Sequence, residues 1–432
     1  MARRPSGLTA GARTAIVVGG ALLLGVQAVM ALGSRITHGL FGHVGMDFLT
    51  TYTAARILAR GEGADLYNWW TQYAVQHPIL AAHGVSWSDR ILQPYVAPPL
   101  LGLLALPLQV LPAGGALLLW VVLSVAGLVL AGRLLDRALD LRLGRLCPLL
   151  VLSFFPAYYT LLLGQSEALL VLGVVAFVLL SRRQADLLAG VALGVLVLKP
   201  PLLVVPVIYL VTKQRWRALA GLSLACVLAA ALSLAALGPG GVADYLRLSR
   251  ELSQPEGTIA TNVAGMINIR GALIRLLPGA PALLQQFGIA GLSLTLLTVC
   301  VAAWRRTGAE RGTPAEEAEL ALMLLATCLV SYHALIHTGV LILPAVALLW
   351  RGMARTTAAG DRERGVLLGL LVAIWVAPTV LYLPSGTSIL PAAVFTPLLF
   401  GLWLVAAEVV IRQTAAEPAL VKVRTPPGER RW

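Results

Sequence analysis

The sequence predicts an all-α, polytopic membrane protein with about twelve membrane helices. Composition is the first reason. Of 432 residues, 58% are hydrophobic and only 12% are charged, against roughly 45–50% and about 25% in soluble domains. The mean hydropathy is +0.83. The second reason is pattern: apolar stretches recur near 14–33, 95–112, 115–132, 146–163, 167–180, 187–198, 201–211, 218–237, 281–303, 319–332, 338–350, 365–383 and 388–410. The third is where the charges fall, which is between those stretches. A chain this long and apolar cannot hide its surface in one water-soluble core. Its solvent is lipid.

The first stretch follows Arg3, Arg4 and Arg13. Its run from Thr14 to Gly33 is about twenty residues, long enough to span, and it lacks a small-residue cleavage site. It reads as a retained first helix. The loop 34–94 that follows holds two amphipathic helices. Phe48, Tyr52, Ala55 and Ala59 share a face opposite Thr53, Arg56 and Arg60, and Gly61 ends that helix. Leu66, Trp70 and Tyr73 form a second stripe suited to the membrane interface.

Orientation follows from Lys and Arg. Segments 1–13, 181–186, 212–217, 304–318, 351–364 and 411–432 hold most of the 33 basic residues, and the positive-inside rule puts all six in the cytoplasm. Arg133, Arg137, Arg142 and Arg145 look cytoplasmic too, yet two full spans within 95–132 would put them outside. Either 95–112 or 146–163 must then be re-entrant. Several later stretches are shorter than the roughly 17–25 residues of a full span. Helices that stop at depth are tolerated only where they line a protein-enclosed or watery cavity. The chain reads as one integral-membrane domain over 1–410, with large extracytoplasmic loops at 34–94 and 238–280 and a basic, disordered cytoplasmic tail at 411–432. No internal repeat is visible.

The formal charge of +13 would raise nucleic acid as a partner in a soluble protein. Here topology and anionic lipid account for it, and no nucleic-acid partner is expected. Cys147, Cys226, Cys300 and Cys328 lie in apolar stretches without CxxC spacing and read as small buried hydrophobes.

That topology gathers the chemically able residues on one side. Asp47 opens a helix just after the first span, as an N-cap or as a general base at a cavity mouth. Glu167, in Gly164-Gln165-Ser166-Glu167, starts an apolar helix at membrane depth, as a dipole partner or as a site carboxylate. Lys199 sits before Pro200-Pro201, far from either end of its apolar stretch, which favours an anion contact over snorkelling. Arg270, in Asn268-Ile269-Arg270-Gly271, is a phosphate clamp or a surface arginine. His333 and His337 share a helical face, but a pair at that spacing without an intervening Glu is weak evidence for zinc, and no metal or cofactor is expected. One carboxylate amid cations suits sugar transfer from a polyprenyl phosphate: the base takes the acceptor proton and cations hold the departing phosphate.

At these residues the chain resembles glycosyltransferase family 87, a group of GT-C membrane glycosyltransferases, over about 14–405. The resemblance rests on ordered motifs: Gly45-Met46-Asp47-Phe48 with Tyr52-x-Ala54-Ala55-Arg56; Tyr95-Val96-Ala97-Pro98-Pro99 with Leu106-Pro107 and Leu111-Pro112; and Gly164-Gln165-Ser166-Glu167. Ala189-Gly190 with Leu198-Lys199-Pro200, Asn268-Ile269-Arg270-Gly271, and Ser331-Tyr332-His333 before Leu343-Pro344 complete the series. It implies a GT-C fold in a bacterial cytoplasmic membrane, a polyprenyl-phosphate-linked sugar donor, mannose-like, a lipid or glycan acceptor, and an inverting reaction without metal. It places the family's base on Asp47 and its later histidine on His333, near the donor phosphate. Lys199, Arg270, Arg56, Gln165 and Glu167 are expected to join His333 there. The departures are Glu167 where the family usually has Asn, Thr338 where an Asp often follows, and the stretched Tyr-Pro-Pro motif. The rival class, a lipid or solute transporter, predicts paired broken helices in two related halves, and the sequence shows no such halves.

Overall fold

The computed structural model describes residues 10–85, 93–253, 262–308, 310–355 and 361–423. Among the described residues there is no strand, only two isolated bridges, Leu40 with Val44 and Met266 with Leu335. In lipid every backbone N–H and C=O needs an internal partner, and a helix supplies one within a single segment.

Helix α1 (Ala10–His38) lies along the bundle with most of its side chains open. Its buried Gln27 is anchored, donating to the Ser153 carbonyl at 2.9 Å and to the Thr379 hydroxyl at 3.4 Å. Helices α2 (Met46–Ala59) and α3 (Trp69–Ala82) occupy the first predicted loop. The amphipathic reading of α2 needs correction. Thr53 is as buried as Phe48, Tyr52 and Ala55, with its hydroxyl bonded to the Leu49 carbonyl, while Ala59 is exposed. Helix α2 is therefore packed inside the protein rather than laid on an interface. The second stripe also breaks up: Leu66 precedes α3 and is buried in a core with Tyr67 and Tyr95, whereas Trp70 is 79% exposed. Asn68 caps α3 instead, its Oδ1 accepting from the Trp70 and Thr71 amides.

Helix α4 (Pro99–Leu104) and the 3-10 turn Leu106–Val110 replace a predicted span. Six helical residues cover only about 9 Å, too little to cross. Tyr95 buttresses α4, donating to the Pro98 carbonyl and accepting from the Gly102 amide, so the Tyr-Val-Ala-Pro-Pro motif works as scaffold. Helix α5 (Ala113–Leu139) then crosses alone, which carries Arg133, Arg137, Arg142 and Arg145 to the end opposite Pro112.

Next come α6 (Leu146–Ser153) and α7 (Phe155–Leu163), bent by 68° at Phe154, then α8 (Glu167–Arg182), α9 (Asp186–Leu193), α10 (Val204–Thr212) and α11 (Trp216–Ser253), the last kinked at Gly238. The predicted second loop is thus partly helical: α11 runs into it as far as Ser253, and α12 (Ile269–Leu276) lies beyond. The chain continues through α13 (Ala282–Arg306), α14 (Pro314–Val330), α15 (Ile342–Arg355), α16 (Asp361–Ser385) and α17 (Ile389–Val423). Helix α17 continues through the predicted tail to Val423; residues 424–432 lie outside the described ones. Among the described residues six helices are long and apolar enough to cross a membrane, or seven counting the bent α6–α7 pair. The protein is a polytopic helical membrane protein, but the dozen spans are not reached. The other apolar stretches fold as short helices and 3-10 turns because prolines and glycines interrupt them.

Helix α14 forms the centre, buried from Glu316 to Leu329 and flanked by α10, α13, α15 and α17. Helix α9 crosses α11 backbone to backbone: a Cβ on Gly190 would lie 1.8 Å from the Ala218 carbonyl oxygen, and one on Gly221 2.0 Å from that of Leu187. At one end of the bundle three buried carboxylates at the start of α14 collect four cations from three segments. Glu317 pairs with Arg182 and Arg351 at 2.5 and 2.6 Å, Glu319 with Lys213 at 2.8 Å, and Glu316 with Arg215. Arg311 reaches Asp186 alongside at 2.5 Å. Four of the six basic stretches therefore share one side.

Candidate active site

The other end of α8 carries a second polar cluster. Helix α8 has 16 residues, so its two ends stand about 24 Å apart. Helix α7 stops at Gly164, which turns left-handed at φ 71°. That turn is pressed against α2, for a Cβ on Gly164 would fall 2.6 Å from the Phe48 Cβ. A backbone bond from the Gly45 amide to the Leu162 carbonyl, 2.7 Å, fastens the start of α2 to the same place. Asp47 and Gln165 are brought together by this docking.

Asp47 is not the cap of α2. Gly45 holds that position, and Asp47 lies in the first turn with its Oδ2 accepting a hydrogen bond from Gln165 Nε2. On the far side of the amide, Gln165 Oε1 accepts from Lys199 Nζ at 3.4 Å. The lysine is positioned by a broken helix. Two 3-10 turns, Gly194–Leu198 and Pro200–Leu203, meet at Lys199, whose backbone leaves the helical region (φ −138°, ψ 79°) before the proline that follows. Its ammonium makes an ion pair with Glu167 Oε1. Glu167 is fully buried at the start of α8, and the same oxygen bonds His337 Nδ1 at 2.6 Å. The result is a continuous polar chain, Asp47–Gln165–Lys199–Glu167–His337.

Burial raises the Asp47 carboxyl above its ordinary range. His337, the Gln165 hydrogen bond and Lys199 pull the other way, and Glu167 adds to the rise. Asp47 keeps part of its surface open. A half-open carboxylate with raised basicity is what a general base requires.

A third segment closes over this chain. Asn268 caps α12 through the Gly271 amide and ties it to the Ser331 carbonyl at 2.7 Å, while the Ile267 amide bonds the Ala334 carbonyl. This lays the Arg270 guanidinium 4.0 Å from the centre of the Tyr332 ring. Arg270 is buried, and its Nη1 has no hydrogen-bond partner among the described residues. His333 leaves part of its surface open, yet its ring is pushed down to about 3, by burial first and then by Lys199, His337 and Arg270. It is a neutral donor or acceptor rather than a cation.

Of the residues expected at the site, Asp47, Gln165, Lys199 and Glu167 share one hydrogen-bonded chain; His333 lies within electrostatic reach of Lys199, Glu167 and His337, and Arg270 within reach of His333. Arg56 is not brought in. Nine helical residues past Asp47 it stands about 13 Å farther along α2, over the Tyr52 ring at 5.6 Å. His337 is the residue the sequence reading underrated. Its only signal was the spacing from His333, and it takes a partner from a helix far away in sequence. Glu167 Oε2, His337 Nε2, Ser166 Oγ and Thr338 Oγ1 are also buried without hydrogen-bond partners, as befits a site that receives a polar ligand or water. Among the described residues no three His, Cys, Asp or Glu side chains are arranged to hold a metal ion.

Fold and site together define a polytopic membrane protein with a carboxylate–cation centre at one end of its helix bundle. The chain belongs to glycosyltransferase family 87, whose model matches residues 95–332, more than half of the sequence. It is a membrane glycosyltransferase and as such takes a sugar donor and an acceptor. Comparison with curated proteins and with solved structures returned no match. The matched region contains Gln165, Glu167, Lys199 and Arg270, while Asp47 precedes it and His333 and His337 follow its end.

Proposed function

We propose that the protein transfers a mannose-like sugar from a polyprenyl-phosphate donor to a lipid or glycan hydroxyl, in one inverting, metal-independent displacement within a GT-C fold. Asp47 accepts the hydroxyl proton as the acceptor oxygen attacks the anomeric carbon. The bond from that carbon to the phosphate oxygen breaks on the opposite face, and the electron pair leaves with the polyprenyl phosphate. Lys199 and Arg270 stabilise the departing phosphate by charge, and neutral His333 and buried His337 contribute hydrogen bonds. Gln165 and Glu167 hold these groups in place.

The observation that carries this reading is the single amide joining Asp47 to Lys199. A base and a cation held one side chain apart match the two charges that develop in the displacement, on the acceptor oxygen and on the phosphate. In this reading that end of the bundle faces away from the cytoplasm across a bacterial cytoplasmic membrane, an orientation that the Lys and Arg distribution supports. The donor's lipid tail explains why the site should stand in a lipid-embedded bundle.

The test uses purified protein in lipid with radiolabelled polyprenyl-phosphate sugars. Asp47→Asn keeps shape and most hydrogen bonding but cannot take a proton, so the rate should fall by about 10²–10⁴-fold with folding intact. Near-wild-type turnover in Asp47→Asn would falsify the base assignment.

A further inference from the structure

Gln165 is held from every direction. Its backbone amide donates to the Thr160 carbonyl at 2.9 Å, and its own carbonyl accepts from the Trp120 indole at 3.3 Å. Trp120 in turn packs against Phe48, the neighbour of Asp47, with ring centres 5.7 Å apart. These bonds fix the Gln165 backbone, and the two partners of its side chain set which way the amide turns. An ammonium can only donate and an ionised carboxylate can only accept, so the amide must turn its oxygen to Lys199 and its nitrogen to Asp47. That leaves one carboxylate oxygen of Asp47 engaged and the other for the acceptor.

The amide also keeps two opposite charges apart. Lys199 faces Glu167, its ion-pair partner, and so does not pair directly with Asp47. A direct pair would favour the ionised carboxylate and weaken it as a base. Resting on the reading of Asp47 as the base, we propose that Gln165 is a positioning residue that orients the Asp47 carboxylate toward the acceptor and separates it from the phosphate-binding cation. The charged and titratable groups around Asp47 are Lys199, Glu167 and His337, with Tyr159 also within electrostatic reach. Gln165 stands among them without an ionisable group, and among the described residues it is the side chain that hydrogen-bonds both Asp47 and Lys199.

Two measurements on the full-length protein in lipid test this. The first is an infrared titration of protein labelled with ¹³C at aspartate carboxyls, with Asp47→Asn subtracted to isolate Asp47; it needs no activity. Gln165→Met keeps the bulk that separates Lys199, itself paired with Glu167, from Asp47 but removes the donor that favours the carboxylate, so the Asp47 transition should move to higher pH by about one unit. Gln165→Glu is nearly isosteric and sets two carboxylates face to face, so it should move the transition further in the same direction. The second is the pH profile of transfer from the radiolabelled donor. The acid limb of kcat/KM should follow the infrared shift, with kcat down about 10–100-fold and donor KM within about twofold of wild type.

An unmoved Asp47 transition in both variants overturns the proposal. So does a rise in donor KM at unchanged kcat, which would make Gln165 a donor-binding group. If Gln165→Met does not fold, Gln165→Glu decides the matter alone. Retained turnover in Asp47→Asn instead defeats the base assignment, whatever the titration shows for Gln165.

Discussion

Lys199 shows how partners alter the reading of a residue. From sequence, a lysine at bilayer depth needs an external anion to offset about 2.5–3.5 kcal/mol of insertion cost. The protein supplies that anion itself as Glu167. Lys199→Met should therefore not improve stability, because it strands a fully buried carboxylate with His337 alone. We expect a loss of about 3–5 kcal/mol, read as a lowered denaturation midpoint in detergent. The double variant Lys199→Met with Glu167→Gln should recover much of that stability and still transfer no sugar. Recovery of activity as well would reduce the lysine to a structural counter-ion. Asp47 makes a further prediction at this scale. Its base form exists above its raised pKa, so kcat/KM should fall as pH drops through a value above the ordinary aspartate pKa of about 3.9. A limb at or below that value in the wild type would show that burial does not govern this carboxyl.

Helices in this protein present the residues of the candidate site where they stop. The α7–α8 junction presents Gln165 and Glu167, the break before α10 presents Lys199, and the start of α12 presents Arg270. Sequence marks such stops well, since Gly164, Pro200-Pro201 and Asn268 each have a local backbone reason to be there. Gly164 combines a left-handed backbone with contact against Phe48. Gly164→Ala should cost more than about 1 kcal/mol and should displace Gln165 from Asp47. The expected readings are a lower denaturation midpoint and a turnover loss of at least tenfold, at unchanged membrane insertion. Wild-type turnover in Gly164→Ala would mean that the docking of this turn on α2 does not position the base. Spans were harder to read, because a run such as 95–112 has the composition of a crossing helix and reveals its shortness only through the prolines that open and close it.

The whole molecule is polarised along α8. One end carries the Asp47–Gln165–Lys199–Glu167–His337 chain, and the other carries the ion pairs that gather Arg182, Lys213, Arg215 and Arg351 on the glutamates of α14. These pairs join segments far apart in sequence and have little surface open to water. Removing a single partner, as in Glu317→Gln, leaves Arg182 and Arg351 facing each other at the buried site and should cost about 3–5 kcal/mol. Thermal denaturation in detergent measures it; a change within about 0.5 kcal/mol would show the cluster to be well solvated. Orientation is a separate test at the same scale. A reporter active only in the cytoplasm should be on within 351–364 and off within 34–94, following the Lys and Arg bias. The reverse pattern would turn the site toward the cytoplasm.

The membrane class and the helical fold were determined by the sequence alone, because each depends on composition and on local pattern. The residues of the site were also visible there one by one: Asp47 after a span, Glu167 at a helix start, Lys199 in a break. What only the tertiary structure decided was who meets whom. Asp47 and Gln165 lie 118 positions apart, and Glu167 and His337 lie 170 apart. No local preference encodes those pairings. They arise when α2, the α7–α8 turn, the break at Lys199 and the segment after α14 are packed around one buried carboxylate, and a charge in so dry a place must find its partner wherever the fold brings one.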